Sequence, residues 1–362
     1  MEENDENEIK NFIKVWISAF ISLTYCYFIP MKIPKGKFRF LSILPVLYLF
    51  TFILPFKLTT ISLGGGTAFF LTWLANFNLI LFSIDKGPLS SSSNPPISYS
   101  KFISTSCLPI KLKNPSSNPP KKNQSQLQTT TTTNLAIKGL ILGLLTIIYE
   151  HKQIIHQNLM LVYYCCYLYL CLELLLAIVA AMVSKLLKLD LEPQFNEPFL
   201  SASLQDFWGH RWNLMVPNIL KPTVYDPVRY VSVAVIGRRW APLPATLSTF
   251  LVSGLMHELI FFYFGRVYPT WEVTCFFLLQ GICVALEILV KKLANGKWRL
   301  HPVISRPLTV GFVLVTAVWL FFPQVVRFNG IDRVSNEVAA VVGFFKEAGT
   351  TLKWLKLLVF NV

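Results

Sequence analysis

The 362-residue chain is strongly hydrophobic: 53% of its residues are apolar, its mean hydropathy is +0.51, and only 14% of its residues are charged. Soluble domains carry roughly 25% charged residues, so this composition excludes an ordinary water-soluble fold. The net charge of +14 comes without a basic helix, a zinc-finger spacing or an aromatic RNA-binding motif, and therefore does not indicate nucleic-acid binding. Apolar runs of about 17 to 25 residues predict an all-α polytopic membrane protein with about seven to nine transmembrane helices.

The first part of the chain, residues 1–84, is predicted to form N-terminal transmembrane helices. Its apolar runs cover residues 12–29, 40–56 and 68–84. The first residues are acidic and no small-residue cleavage site follows the first run, so we interpret that run as a retained anchor. Two amides in the third run, Asn76 and Asn78, need hydrogen-bond partners and are expected to face other helices.

Residues 85–134 differ in composition, since they are rich in serine, threonine, proline and lysine. Such a segment cannot bury enough apolar surface to offset the entropy of ordering it. We predict a disordered low-complexity loop, placed in the cytosol by its lysines.

Apolar runs resume at residues 135–148, 159–183, 246–264, 275–290 and 309–322. Glu173 lies inside the second of these runs, where a carboxylate either hydrogen-bonds between helices or belongs to a polar pathway. Residues 337–360 are expected to form a last span or an interfacial helix. The segment 190–240 is polar and aromatic without low complexity, and we expect function to lie there.

His257 and Glu258 lie deep in an apolar helix, where a charge costs about 2.5 to 3.5 kcal/mol. They point about 100° apart on the helix, so each needs its own partner. His257 suits a base that removes a proton from an alcohol, whereas Glu258 either holds a neighbouring helix or lines a substrate channel. The alternative for both is a hydrogen-bonded core pair. Ser253, one turn earlier, is expected to bond to its own helix and not to act as a nucleophile.

No metal site is predicted. The HExxH pattern of zinc peptidases would require a histidine where Phe261 stands. The seven cysteines include no CxxC pair, and their odd number does not suggest a disulfide framework.

The second group of candidate residues is the segment 205–213, which contains Asp206, Phe207, Trp208, Arg211, Trp212 and Asn213. Trp208 and Trp212 are neighbours on one face if the segment is helical, and Arg211 is then expected to point toward a phosphate. An interfacial anchor would explain the tryptophans but not Asp206 and Asn213.

Further along, Lys221, Arg229, Arg238 and Arg239 are spaced among prolines and aromatic residues. Cations gathered on one face attract the phosphates of a nucleotide. The same residues also fit the excess of Lys and Arg in cytosolic loops, and the sequence leaves both readings open.

Phe207-Trp208 with Trp212-Asn213, followed by the intramembrane His257-Glu258, resembles the membrane-bound O-acyltransferases. The chain is most similar to the plant wax synthase branch, which comprises long-chain-alcohol O-fatty-acyltransferases and acyl-CoA:sterol O-acyltransferases. The segments that carry the resemblance are residues 67–77, 87–90, 191–198, 203–209 and 211–217.

The resemblance implies that residues 135–362 form a catalytic transmembrane domain. His257 would be the catalytic residue, with Asn213 as the second polar group, and Asp206, Phe207, Trp208, Arg211 and Trp212 would lie close to acyl-CoA. Glu258, Arg238 and Arg239 would support the site.

The implied reaction uses acyl-CoA as co-substrate and needs no metal or other cofactor. A long-chain fatty alcohol is the first expected acceptor and a sterol the second, in a multi-pass protein of the endoplasmic reticulum; the oligomeric state stays open. A transporter with a proton relay through Glu173, His257 and Glu258 is the alternative of another class, although the sequence has neither repeated halves nor paired broken helices.

Overall fold

The computed structural model of the protein describes residues 2–90, 97–108, 121–150, 153, 156–187, 191–294, 300–330 and 332–333. These residues are mostly helical, and seven of their helices are long and apolar enough to cross a membrane. An additional apolar helix in the same part of the chain, Asn134–Tyr149, is shorter. The predicted polytopic all-α membrane fold is confirmed. Residues 337–360 lie outside the described residues.

The N-terminal region contains three of the long helices: α1 (Glu2–Phe28), α2 (Lys37–Lys57) and α3 (Leu63–Ser83). Their apolar faces meet in one core, whose fully buried members include Leu23, Ile43, Phe50, Leu71, Leu79 and Phe82. A carboxylate of α1, Glu8, accepts hydrogen bonds from the backbone amides of Thr59 and Thr60 at 2.7 and 2.9 Å. It thereby caps the chain just before α3 begins.

The two amides of α3 face other elements, as predicted. Asn76 donates to the hydroxyl of Thr51 at 2.8 Å. Asn78 donates to the backbone carbonyls of Thr105 and Ser106, both at 3.1 Å. The second contact closes the C-terminal end of a further helix, α4 (Tyr99–Cys107).

Helix α4 corrects the expectation of a disordered loop, which is wrong for residues 97–108. Phe102 of this helix is fully buried in the N-terminal core, and Ile97 and Cys107 join it there. Tyr99, Phe102, Ile103 and Cys107 follow one another at helical spacing and give this short segment a face to bury, although serines surround them in the sequence. The next helix, α5 (Lys121–Glu150), begins inside the low-complexity region and continues into the apolar run after residue 134.

Helix α6 (Gln157–Leu187) packs against α5 and carries Glu173 near the middle of its span. The ammonium group of Lys138 on α5 lies 2.6 Å from one carboxylate oxygen of Glu173. Of the two roles expected for Glu173, the bond between helices is confirmed.

The remaining helices are α7 (Asp226–Trp240), α8 (Pro242–Gly265), α9 (Glu272–Leu293) and α10 (Pro302–Arg327). Helices α8 and α9 pack very closely because glycines lie at their contact. A Cβ atom at Gly254 would lie 3.0 Å from the Cα of Thr274, and one at Gly281 would lie 2.7 Å from the Cβ of Phe250. Small residues at such positions let transmembrane helices approach each other.

One end of this helix pair is strongly basic. Arg238 and Arg239 precede α8, Lys291 and Lys292 lie in the last turn of α9, and Lys292 donates to the backbone carbonyl of Arg239. We call this end the basic end of the helix pair.

Candidate active site

Between α6 and α7 the chain forms a series of short turns, residues 191–225, which we call the polar segment. Ser203 caps the turn Leu204–Asp206 by accepting from the amide of Asp206 at 3.2 Å. Backbone bonds from Asn196 to Arg211 (2.9 Å) and from Leu214 to Gln194 (2.7 Å) then join its two halves. The segment is therefore held in one conformation by its own backbone.

An ion pair strengthens the fold of the polar segment. The guanidinium of Arg211 donates to Asp206 at 2.8 Å and to the backbone carbonyls of Asn196 and Glu197 at 3.2 and 3.4 Å. The sequence predicted that Arg211 points toward a phosphate. In the structure its described contacts are within the polar segment, and neither Arg211 nor Asp206 lines the cavity found beside it.

The aromatic residues of the polar segment pack together. Phe207 stacks on Trp212 with 5.4 Å between ring centroids, and Trp208 meets Trp212 edge to face at 6.3 Å. Trp208 also contacts Phe250 of α8 and Phe276 of α9. The predicted neighbourhood of the two tryptophans is confirmed.

A buried chain of hydrogen bonds fixes Trp208. Its indole nitrogen donates to the side-chain oxygen of Gln280 at 3.1 Å, and the amide of Gln280 donates to the hydroxyl of Thr316 at 2.8 Å. Gln280 is fully buried in α9 and Thr316 belongs to α10. The polar segment is thus tied to two transmembrane helices through one glutamine.

A cavity of about 560 Å³ lies between the polar segment and helices α6, α8, α9 and α10. Five of the predicted site residues line it: Phe207, Trp208, Trp212, Asn213 and His257. Most of the wall is apolar. The other polar side chains of the wall are Tyr169, Gln205, His210, Lys221, Tyr225, Thr246, Thr249 and Ser253.

His257 is placed in the cavity wall by the centre of α8. Its Nδ1 atom lies 2.7 Å from the backbone carbonyl oxygen of Ser253, one turn earlier. A carbonyl only accepts hydrogen bonds, so Nδ1 carries the proton and Nε2 keeps its lone pair. The ring of Phe277 lies 4.4 Å from the imidazole, centroid to centroid.

Ser253 therefore acts on His257 through its backbone. Its hydroxyl, which was expected to bond to the helix, makes no hydrogen bond with any described residue. It lines the cavity instead.

Glu258 lies on another face of α8, is buried and does not line the cavity. One of its oxygens accepts a hydrogen bond from the backbone amide of Thr274 at 3.1 Å. Of the roles considered for Glu258, the one that holds a neighbouring helix is confirmed.

Asn213 has a left-handed backbone conformation, with φ of 37°. Asparagine tolerates this conformation better than most residues. Its side chain is buried against the cavity, and its Oδ1 atom has no hydrogen-bond partner in the described part of the chain. A buried amide of this kind is available to a ligand.

The candidate basic residues do not all lie at the cavity. Arg238 and Arg239 are exposed at the basic end and do not line the cavity, and the guanidinium of Arg239 lies over the ring of Trp240. Lys221 does line the cavity, and its ammonium group pairs with Asp226 at 3.0 Å.

The sequence analysis missed several residues of the wall, above all Thr246, Thr249 and Phe250 on α8. Counting from His257 in steps of three or four residues reaches each of them or Ser253. The helical period therefore predicts which residues share a face of α8 with His257. Only the structure shows that this face lines a cavity.

The part of the chain from the polar segment to α9 matches a known family. A family model described as "Membrane bound O-acyl transferase family" matches residues 191–279. The chain is 48% identical over 330 residues to the long-chain-alcohol O-fatty-acyltransferase of Simmondsia chinensis, covering 90% of this chain and 92% of that protein.

Two relatives from Arabidopsis thaliana align over more of the chain. Acyl-CoA–sterol O-acyltransferase 1 is 44% identical over 337 residues, covering 93% of this chain and 96% of that protein. Probable long-chain-alcohol O-fatty-acyltransferase 8 is 46% identical over 342 residues, covering 94% and 97%.

Proposed function

Because the chain belongs to the membrane bound O-acyl transferase family, we propose that it transfers a fatty acyl group from acyl-CoA to a long-chain fatty alcohol, forming a wax ester. The observation that carries the proposal is the 2.7 Å contact of His257 Nδ1 with the backbone carbonyl oxygen of Ser253, which leaves the lone pair on Nε2. An imidazole with its Nε2 lone pair free, in the wall of a largely apolar cavity, is suited to accept a proton from an alcohol.

The reaction conserves atoms and protons without a further reagent. Nε2 of His257 accepts the proton of the alcohol while the alcohol oxygen forms a bond to the thioester carbonyl carbon. The carbon–sulfur bond then breaks, the electron pair leaves with sulfur, and the imidazolium returns the proton to the thiolate. The products are the ester and free CoA, and no metal or covalent acyl-enzyme takes part.

Asn213 is the second polar group of the proposed mechanism. Asn213 lines the cavity with His257, and its side-chain NH2 group is the donor that we assign to the oxyanion forming on the thioester carbonyl oxygen. Such a donor is more effective in an apolar cavity than in water, where it would compete with solvent. Asp206 and Arg211 act indirectly in this scheme, because they hold the segment that carries Asn213.

We place the nucleotide of acyl-CoA at the basic end of α8 and α9, and we propose that this end faces the cytosol because cytosolic segments carry the excess of Lys and Arg. Arg238, Arg239 and Lys291 lie at that end, and Lys221 lies in the cavity wall. The acyl chain then extends between the apolar residues of α6 and α10. We propose the endoplasmic reticulum as the location of this multi-pass membrane protein.

A sterol is the second candidate acceptor, because a relative that covers nearly the whole chain is named an acyl-CoA–sterol O-acyltransferase. A transporter relay is not favoured. Of Glu173, His257 and Glu258, only His257 lines the cavity, while Glu173 pairs with Lys138 and Glu258 with the amide of Thr274.

The test is an assay of microsomes from cells that lack neutral-lipid synthesis. Wild type, His257→Ala and the control His301→Ala, whose imidazole is exposed outside the cavity, are compared at equal protein levels. Labelled acyl-CoA is offered with fatty alcohol or with sterol.

We expect wax ester from wild type and His301→Ala, and at least about a hundredfold less from His257→Ala. Sterol ester alone would select the second acceptor. Equal ester from His257→Ala would reject His257 as the base, and no ester from abundant wild type would reject both acceptors.

A further inference from the structure

Helix α7 differs from its neighbours because none of its 15 residues is buried. Four of its apolar residues, Tyr230, Val231, Ala234 and Val235, follow one another at helical spacing and form one face, which we call the apolar stripe. Every residue of the stripe is exposed, Tyr230 by 82% and Val235 by 77%. Ser232 points to another side of the helix and is half-buried. The apolar stripe therefore faces away from the described part of the protein.

The apolar stripe does not belong to a membrane-spanning helix. A helix of 15 residues is about 22 Å long, whereas the apolar core of a bilayer is about 30 Å thick. The chain turns at Gly237, whose φ of 79° suits glycine, and then enters the spanning helix α8. Helix α7 thus ends where α8 begins, at the basic end.

Positive charge accompanies the apolar stripe. Arg229, Arg238 and Arg239 of α7 are exposed, and the one acidic residue of the helix, Asp226, is paired with Lys221 at 3.0 Å. An exposed apolar face flanked by cations is typical of helices that lie in the interface of an anionic membrane. A second copy of the chain fits less well, because α7 packed on α7 would bring like charges together.

Helix α7 also joins two walls of the cavity. Lys221 and Tyr225, which precede the helix, line the cavity, and the ion pair of Lys221 ends on Asp226, the first residue of α7. Helix α8, which carries His257, begins with the second residue after α7. Whatever fixes α7 therefore fixes the relation between these two walls.

We propose that α7 docks in the headgroup layer of an anionic bilayer, with the apolar stripe against the acyl chains, and that this docking holds the cavity wall formed by Lys221 and Tyr225. The partner is the membrane surface itself, recognised by apolar burial and by its negative charge. The docking is independent of the proposed function, whereas its effect on the cavity rests on that function.

Hydrogen–deuterium exchange of the amides in residues 226–240 measures the docking. The full-length protein is reconstituted in vesicles of phosphatidylcholine alone and in mixed vesicles of equal parts phosphatidylcholine and phosphatidylserine. Wild type, the double variant Val231→Ser with Val235→Ser, and the control Ile236→Ser are compared. Ile236 is exposed like the two valines but points to the other side of α7.

In the mixed vesicles we expect the amides of α7 to exchange about tenfold faster in the double variant than in wild type, because the helix loses apolar burial. Ile236→Ser should exchange as wild type does. Wild type should exchange faster in phosphatidylcholine alone, and added salt should remove the difference between the two vesicles because it screens the attraction.

Two results would overturn the docking. One is equal exchange in both vesicles and in all three proteins. The other is exchange that depends on the density of protein in the vesicle and not on lipid charge, which would assign the apolar stripe to a second copy of the chain.

Ester formation in the mixed vesicles tests the link to the cavity. We expect the double variant to lower kcat/KM about three- to tenfold, because a smaller fraction of the protein has the docked conformation, and Ile236→Ser to leave it unchanged. All three proteins should fold alike, since the substituted side chains are exposed. A wild-type kcat/KM in a double variant whose α7 exchanges rapidly overturns the link. If wild type forms no ester, the proposed function fails and the link with it, while the exchange experiment still measures the docking.

Discussion

The carboxylate of Glu258 accepts a hydrogen bond at 3.1 Å from the backbone amide of Thr274, the third residue of α9. The first amides of a helix have no partner within it, and no side chain of the preceding residue caps α9. Glu258 therefore caps α9 from the neighbouring helix α8, next to the glycine contact that joins them.

This contact predicts that Glu258 is a structural residue. Glu258→Gln keeps an oxygen acceptor and should retain activity, whereas Glu258→Leu should lose about 1 to 3 kcal/mol of stability because the amide of Thr274 stays buried and unpaired. Thermal unfolding in detergent, together with ester formation by the folded protein, measures both. A stable but inactive Glu258→Gln protein would indicate a chemical role.

Asn213 combines a left-handed backbone with an unpaired amide, and two variants separate these properties. Asn213→Gly accepts the positive φ without strain but has no amide, so it should fold normally and lose about a hundredfold in kcat. Asn213→Ala should lose stability in addition. Wild-type kcat in a folded Asn213→Gly protein would contradict the proposed contact with the oxyanion.

The hydrogen bond between Trp208 and Gln280 predicts coupled effects. Trp208→Phe and Gln280→Leu each remove one side of the bond, and their effects on stability should differ from additivity by about 0.5 to 3 kcal/mol in the double variant. Gln280→Leu combined with His301→Ala, a pair with no shared contact, is the additive reference. Strict additivity of both pairs would show that the bond contributes nothing.

The ion pair between Lys138 and Glu173 is predicted to matter for folding. Glu173→Leu leaves the ammonium group without its partner and should destabilise the protein, by less than the about 3 to 5 kcal/mol of a fully buried pair because the Lys138 side chain is 23% exposed. The double variant Lys138→Leu with Glu173→Leu should regain most of the stability. Loss of ester formation in a stable double variant would instead place the pair in the reaction.

The long helices were predictable because the thickness of a bilayer sets the length of an apolar run. The need of Asn76 and Asn78 for partners was predictable for the same reason, whereas the partners themselves depend on the tertiary fold. Helix α4 was missed because its nine residues are too few for a spanning helix and its serines resemble those of the adjacent low-complexity sequence. Only packing against the N-terminal core identifies it.

His257 was predictable as a site residue because a polar side chain within an apolar helix costs free energy unless it has a partner or a function. Phe207, Trp208, Trp212 and Asn213 came from a motif, and they line the cavity with His257. The contacts of Arg211 depend on how the chain returns past Glu197, which no local pattern encodes.

The glycine contact between α8 and α9 allows the position of the catalytic base and the shape of the acyl-chain cavity to be changed separately. Gly254 and Gly281 let the helix that carries His257 pack directly against α9, so the position of the base is set by contacts between these two helices. Leu172 of α6 and Leu314 of α10 belong to the walls that enclose it. We therefore expect substitutions on α6 and α10 to change the preferred length of the acyl chain without moving His257.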